Sequence, residues 1–127
     1  MSTKCLIADD SLYARLVLKD IVQRILPEVE FQEVGSGQQA LESASANADI
    51  DWFLLDVNML PPDGVETSRQ LLAQGIAASR IALVTGNRSG HLLEEAEEMG
   101  ICLINKAVSP DDVGGFMERL QTFFNKG

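Results

Sequence analysis

Residues 51–64 read DWFLLDVNMLPPDG, and the fold of the chain turns on this stretch. The run Trp52, Phe53, Leu54, Leu55 is continuous in hydrophobicity, as expected of a β-strand covered on both faces, and the Pro61, Pro62, Asp63, Gly64 cluster behind it is turn chemistry. A lone buried carboxylate is costly, so Asp56 at the end of such a run needs a reason. Either the strand stops there and Asp56 faces water, or Asp56 stands at the mouth of a site that needs negative charge.

Working outward, the same kind of run recurs. KCLIA at 4–8, IALV at 81–84 and ICLI at 101–104 are nearly continuous in hydrophobicity, while EFQEV at 30–34 alternates and suits an edge strand. Segments of helical period lie between them. After Ser11, the residues Ala14, Val17, Leu18, Ile21, Val22 and Ile25 recur at spacings of three and one, and Pro27 ends that helix. A short, weak pattern covers Gln38 to Ala46, and VETSRQLLAQ runs from Gly64 to Gly75. Leu92, Leu93, Ala96 and Met99 mark a fourth helix closed by Gly100, with Glu94, Glu95, Glu97 and Glu98 around its other side. Val113, Phe116, Leu120 and Phe123 mark a fifth after Pro110. Strand and helix in strict alternation predict an α/β fold, an open parallel sheet with helices on both faces.

With 127 residues, 46% of them hydrophobic, the expectation is one domain over 1–127 with no output domain. Ten Lys and Arg against nineteen Asp and Glu give a net charge of -9, which repels phosphate backbones and argues against direct nucleic-acid binding. No stretch approaches the roughly 20 apolar residues of a membrane span, and the N-terminus lacks a targeting pattern, so the expected location is the cytoplasm. Cys5 and Cys102 lie inside apolar runs and read as structural thiols. His91 reads as a surface or helix-start residue.

In sheets of this kind the ligand site lies beyond the carboxyl ends of the strands. There the first run delivers Asp9 and Asp10, the third Asp56, the fourth Thr85 and the fifth Lys106. Taken singly, each has a plain structural reading: an acid pair can be a turn, Ser11 a helix cap, Thr85 a strand-end hydroxyl, Lys106 a solvated lysine. Their convergence on one sheet edge points to phosphate or metal chemistry.

The segments IADDS at 7–11, LLDVNM at 54–59 with Asp63–Gly64, LVTGN at 83–87 and INKA at 104–107 resemble, as an ordered set over nearly the whole chain, the response-regulator receiver domains of two-component signalling, especially the single-domain chemotaxis type. The resemblance implies strand order 2-1-3-4-5 and a flavodoxin-like architecture. It implies that Asp56 accepts a phosphoryl group from a histidine kinase or histidine phosphotransfer protein. Asp9, Asp10, Asp56 and the backbone carbonyl of Asn58 would hold Mg2+, and Lys106 would pair with a phosphoryl oxygen. Thr85 would turn its hydroxyl toward that group and alter the surface of the last two helices and last strand, where a downstream protein binds. No catalysis beyond the domain's own phosphorylation and hydrolysis is implied.

The chemistry stands on its own terms too. Crowded carboxylates resist ionisation unless a cation joins them, and magnesium favours oxygen ligands while keeping several waters. A carboxylate can then act as nucleophile toward phosphorus. On this reading Asp56 is exposed, and the cation repairs its electrostatics.

The pattern departs in places. Ala107 stands where the family usually has proline, often in cis, so either a trans peptide with a reshaped loop or a strained cis one is expected after Lys106. Leu103 stands where many members carry a switching aromatic, and Met59–Leu60–Pro61–Pro62 replaces Met-Pro. Asn58 and Asn87 are expected to flank the phosphoryl group. Gly114 and Gly115 weaken the start of the last helix, by about 1 kcal/mol each, and read either as a tolerated weak start or as a close-approach surface for a partner. Leu12, Tyr13 and Leu16 divide between core and a donor-docking face, with Tyr13 the most exposed. Two competing readings are a phosphorylation-independent pseudo-receiver that binds a partner, and a flavin carrier, which the glycine-free ADDSLYAR segment disfavours.

Overall fold

Every apolar run of the sequence becomes a strand. The computed structural model describes residues 3–86, 89–106 and 110–126. Along the chain lie β1 (Lys4–Ala8), α1 (Leu12–Ile25), β2 (Glu30–Val34), α2 (Gly37–Ala46), β3 (Trp52–Asp56), α3 (Gly64–Ala73), β4 (Ile81–Thr85), α4 (Gly90–Met99), β5 (Cys102–Asn105) and α5 (Val113–Lys126), with single 3-10 turns at Ala78–Arg80 and Pro110–Asp112. All four strand pairings are parallel, and the order is β2-β1-β3-β4-β5.

Alternation along the strands divides the interior into two layers. Leu6, Phe53, Leu55, Ile81 and Leu83 pack against Leu41, Val65, Leu71, Leu92 and Ala96 of α2, α3 and α4. Cys5, Ile7, Leu54, Ala82, Val84 and Ile104 face the other way, onto Leu18, Ile21 and Val22 of α1 and Phe116, Leu120 and Phe123 of α5. β2 lies at one edge, as its alternation predicts.

β5 differs from expectation by one residue. The strand begins at Cys102 because the Ile101 amide bonds to the Ala96 carbonyl, closing the exit of α4 behind Gly100 at φ 74°. It is also the second edge strand, so Cys102 and Leu103 are partly exposed instead of covered on both faces.

Local chemistry fixes where the helices start. Ser11 and Ser36 accept hydrogen bonds from the Ala14 and Gln39 amides, and Asp63 accepts one from Glu66. Each cap sits at the carboxyl end of the sheet, so the turns that begin α1, α2 and α3 ring the same edge as the polar residues identified above.

Candidate functional site

Asp56 is the last residue of β3 and shares strand parity with Trp52 and Leu54, so its side chain leaves the sheet on the α1 and α5 side. β1 lies next to β3, and the chain leaving it presents Asp9 and Asp10 beside Asp56. Carboxylate oxygens of Asp9, Asp10 and Asp56 all lie within 4.8 Å of one another. From beyond the end of β5, Lys106 brings its Nζ to 3.3 Å from Asp9 Oδ2 and 3.8 Å from Asp56 Oδ1.

The expectation that Asp56 is exposed is corrected: its side chain is only 14% accessible. The end of β3 is walled by α1, β1 and the loop before α3, so the carboxylate loses most of its water. Burial pushes the Asp56 carboxyl above its ordinary range, Lys106 pulls it back, Asp9 pushes it up again, and smaller effects come from a Val57 backbone hydrogen bond and from Asp10. One ammonium therefore does not offset burial and two neighbouring acids. A site of this composition fits a hard divalent cation, whose charge such carboxylates lack and whose preference is for oxygen.

Asp9 is held from several directions. Its Oδ1 accepts the Ser11 amide at 2.9 Å, its own amide donates to the Val34 carbonyl at 3.1 Å, and its carbonyl accepts Arg15 Nη1 at 2.6 Å. Arg15 is fixed in turn by Glu33 Oε1 at 3.1 Å, and Lys19 reaches the other Glu33 oxygen at 2.9 Å. These two cations hold the Glu33 carboxyl below its ordinary range. Arg15 thus staples the turn carrying the acid pair to β2.

On the other side of Asp56, the Gly64 amide donates to the Val57 carbonyl at 3.0 Å, and a Cβ on Gly64 would overlap the Asp56 carbonyl oxygen. The Leu60–Pro62 segment packs on the start of α2, with the Gly37 amide donating to Leu60 at 3.0 Å and the Gln38 amide to Pro61 at 3.3 Å. The Pro61–Pro62 bond is cis. This loop is thus docked on α2.

Thr85 closes β4 and is buried, but its parity matches Leu83, so it starts on the α3 and α4 side of the sheet, opposite to Asp56. Leu103, at the aromatic position, is a partly buried member of that same layer. Asn58 follows Asp56 by two residues and is exposed. Asn87 and the Lys106–Ala107 peptide lie outside the described residues.

A cleft of about 230 Å³ opens beside the acids between α1 and α5. Its walls are apolar, including Ala14, Val17, Leu54 and Phe116, and Asp9, Asp56 and Lys106 line it as well. Exposed Leu12, Tyr13 and Leu16 lie on the adjacent helix, with Tyr13 the most exposed at 76%. His91 lies on the exposed first turn of α4 beside Glu95, away from the acids.

The sequence pattern thus locates Asp9, Asp10, Asp56 and Lys106 and passes over Arg15 and Arg119. Arg15 left a faint signal, one helical turn beyond the Ser11 cap and beside the acid pair. Arg119 left none: its partners are a backbone carbonyl and Asp112.

Comparison with known proteins gives a consistent set of matches. Residues 5–114 match the family model described as the response regulator receiver domain. Over 118 residues the chain is 25% identical to the chemotaxis protein CheY of Listeria monocytogenes, covering 91% of this chain and 96% of that protein. Its fold is similar to the response regulator domain of Thermotoga maritima CheB, with TM-score 0.80 and 22% identity over 98% of this chain and 96% of that one. It is similar also to CheY4 of Vibrio cholerae, with TM-score 0.77 and 23% identity over 97% and 99%.

Proposed function

The chain belongs to the response regulator receiver domain family, and from that premise we propose that it is a phosphorylation-dependent switch whose acceptor is Asp56. One observation carries the reading. Three carboxylates from two strand ends gather within 4.8 Å, with the Lys106 ammonium 3.3 Å from one and 3.8 Å from another.

A carboxylate oxygen of Asp56 attacks the phosphorus of a phosphohistidine, the P–N bond breaks, and the electron pair leaves with the imidazole of the donor. Asp56 then carries an acyl phosphate. Lys106, already beside Asp56, pairs with a phosphoryl oxygen as charge moves onto it. Asp9, Asp10 and Asp56, with the Asn58 carbonyl, are the proposed ligands of Mg2+, Asp9 either directly or through water. When bound, that ion supplies the positive charge that the carboxylates and the incoming phosphoryl oxygens together lack. Attack by water later returns Asp56 to its free form, so the domain turns over only its own phosphoryl group.

Thr85 lies one strand over from Asp56 and must turn across the sheet edge to donate its hydroxyl to the phosphoryl group. We assign it the step that couples chemistry to the surface of α4, β5 and α5, where a downstream protein binds. Leu103 moves with that layer in place of an aromatic. Exposed Leu12, Tyr13 and Leu16, beside the apolar cleft, suit an amphipathic helix of the donor kinase or phosphotransfer protein, which brings its phosphohistidine against Asp56. Among the described residues no helix is long and apolar enough to cross a membrane, which accords with a cytoplasmic place of action.

The test is direct. With Mg2+ and a small acyl phosphate, or a phosphorylated donor protein, mass spectrometry should find one added phosphoryl group, absent from Asp56→Asn. No adduct from either donor would overturn the switch and leave a phosphorylation-independent binding module.

A further inference from the structure

We propose that Arg119 of α5 is a positioning residue that holds Lys106 in place for phosphoryl transfer, and that Gly115 is there to make room for it. The inference rests on the phosphorylation reading above for its consequence, but its geometry stands apart from that reading.

Lys106 must present its ammonium between Asp9 and Asp56 from a peptide just beyond the end of an edge strand. The unit that sets its direction is the planar peptide joining Asn105 to Lys106. That plane is gripped on both sides. Its N–H, the Lys106 amide, donates to the Thr85 carbonyl at 2.8 Å. Its C=O, the Asn105 carbonyl, accepts two hydrogen bonds from the Arg119 guanidinium, from Nε at 3.1 Å and Nη2 at 2.8 Å. A planar fork of donors fixes a carbonyl in direction as well as distance, which a lysine could not do.

The Asn105 side chain gives no such help. Its Oδ1 is buried and has no hydrogen-bond partner among the described residues, so beyond the pairing with β4 the hold on this residue comes from the Arg119 fork. Arg119 is itself aimed by Asp112, whose Oδ2 lies 3.2 Å from Nη2. Here the paired glycines acquire a reason. A Cβ on Gly115 would lie 2.7 Å from Asp112 Oδ1 and 3.1 Å from Arg119 Nη1, so a side chain there would push the ion pair aside. Gly114 faces open space and carries no such constraint.

A double-mutant cycle tests this. Arg119→Ala should slow phosphoryl uptake from a small acyl phosphate by about ten- to a hundredfold, the range expected when a catalytic group is misplaced. In a Lys106→Ala background the same substitution should change the rate by less than about twofold, because the residue it positions is gone. Arg119→Lys, which keeps the charge and favours folding, should fall with Arg119→Ala. Gly115→Ala should also slow uptake although alanine is the better helix former, and Gly114→Ala should not.

A second readout needs no phosphorylation. Modification of Lys106 by an amine-reactive ester, followed by peptide mass spectrometry, should speed up severalfold in Arg119→Ala and Arg119→Lys. Equal losses of uptake rate with and without Lys106 would overturn the proposal, as would unchanged Lys106 labelling. If wild-type protein takes no phosphoryl group, the switch reading falls, and the labelling alone decides whether Arg119 positions Lys106.

Discussion

Asp56 is folded into a place that suits its task better than its stability. Burial raises its carboxyl, and Asp9 and Asp10 add to the rise against the pull of Lys106. The folded state therefore holds the Asp56 proton more tightly than the unfolded chain does. Below the ordinary carboxylate range both states are protonated and the group is neutral for stability. As pH rises through that range the unfolded chain ionises first and stability is lost, and above the raised value the loss is complete. Asp56→Asn should then be more stable than wild type at neutral pH in chelator, by the order of 1 kcal/mol or roughly 3–5 °C in Tm. The gap should close on acidification and, with Asp9, Asp10 and Asp56 as the proposed Mg2+ ligands, on adding that ion, which would stabilise wild type. Calorimetry of both proteins at neutral and acid pH, with and without Mg2+, checks this. A variant less stable than wild type in chelator would mean that Asp56 is satisfied by contacts other than those described.

At the scale of elements, the junction of β3 and α3 has little room for change. The first turn of α3 lies against the backbone of Asp56, so that a Cβ on Gly64 would overlap the Asp56 carbonyl oxygen and lie 2.9 Å from Val57 Cα. Both are main-chain atoms and cannot swing away as a side chain would. Gly64→Ala should lose about 2–3 kcal/mol or more in urea unfolding and should slow phosphoryl uptake as well, since relief of the overlap moves Asp56. Unchanged stability would show that α3 can back off from β3. This contact also marks the limit of what the sequence discloses. The central strands are legible because two covered faces leave nearly unbroken apolar runs, β2 because its alternation marks an edge, and Asp9, Asp10, Asp56 and Lys106 because each follows an apolar run. The closeness of Gly64 to Asp56, the α1–β2 staple made by Arg15, and the grip of Arg119 on the Asn105 carbonyl are tertiary facts. Backbone partners leave no mark on the sequence, and ion pairs between elements leave no fixed spacing. The extent of Asp56 burial is invisible for the same reason, being set by which helices close over the strand end.

Across the whole molecule, the acid site and the aromatic cluster occupy opposite ends of one strand. Trp52, the sole tryptophan, opens β3, and Asp56 closes it, about 13 Å away at the usual rise per residue. The indole lies edge-on to Phe123 and Phe124 of α5, with ring centroids 5.2 Å away in both cases. Its emission therefore reports the packing of the end of α5 against the sheet, at the opposite end of β3 from Asp56. Mg2+ and phosphorylation should leave the tryptophan spectrum unchanged, while urea should shift it to the red in one transition with the loss of helix. Phe123→Ala should shift it in the native state and lower stability by about 3–5 kcal/mol, because the ring is buried in the α1 and α5 layer. The two experiments together bear on how the switch is transmitted. If phosphorylation leaves the indole silent, α5 stays seated at its far end, and the surface change is confined to the Thr85 and Leu103 layer and the site end of α5. A phosphorylation-dependent shift would instead require α5 to move as a unit against the sheet, carrying the Arg119 grip on the Lys106 peptide with it.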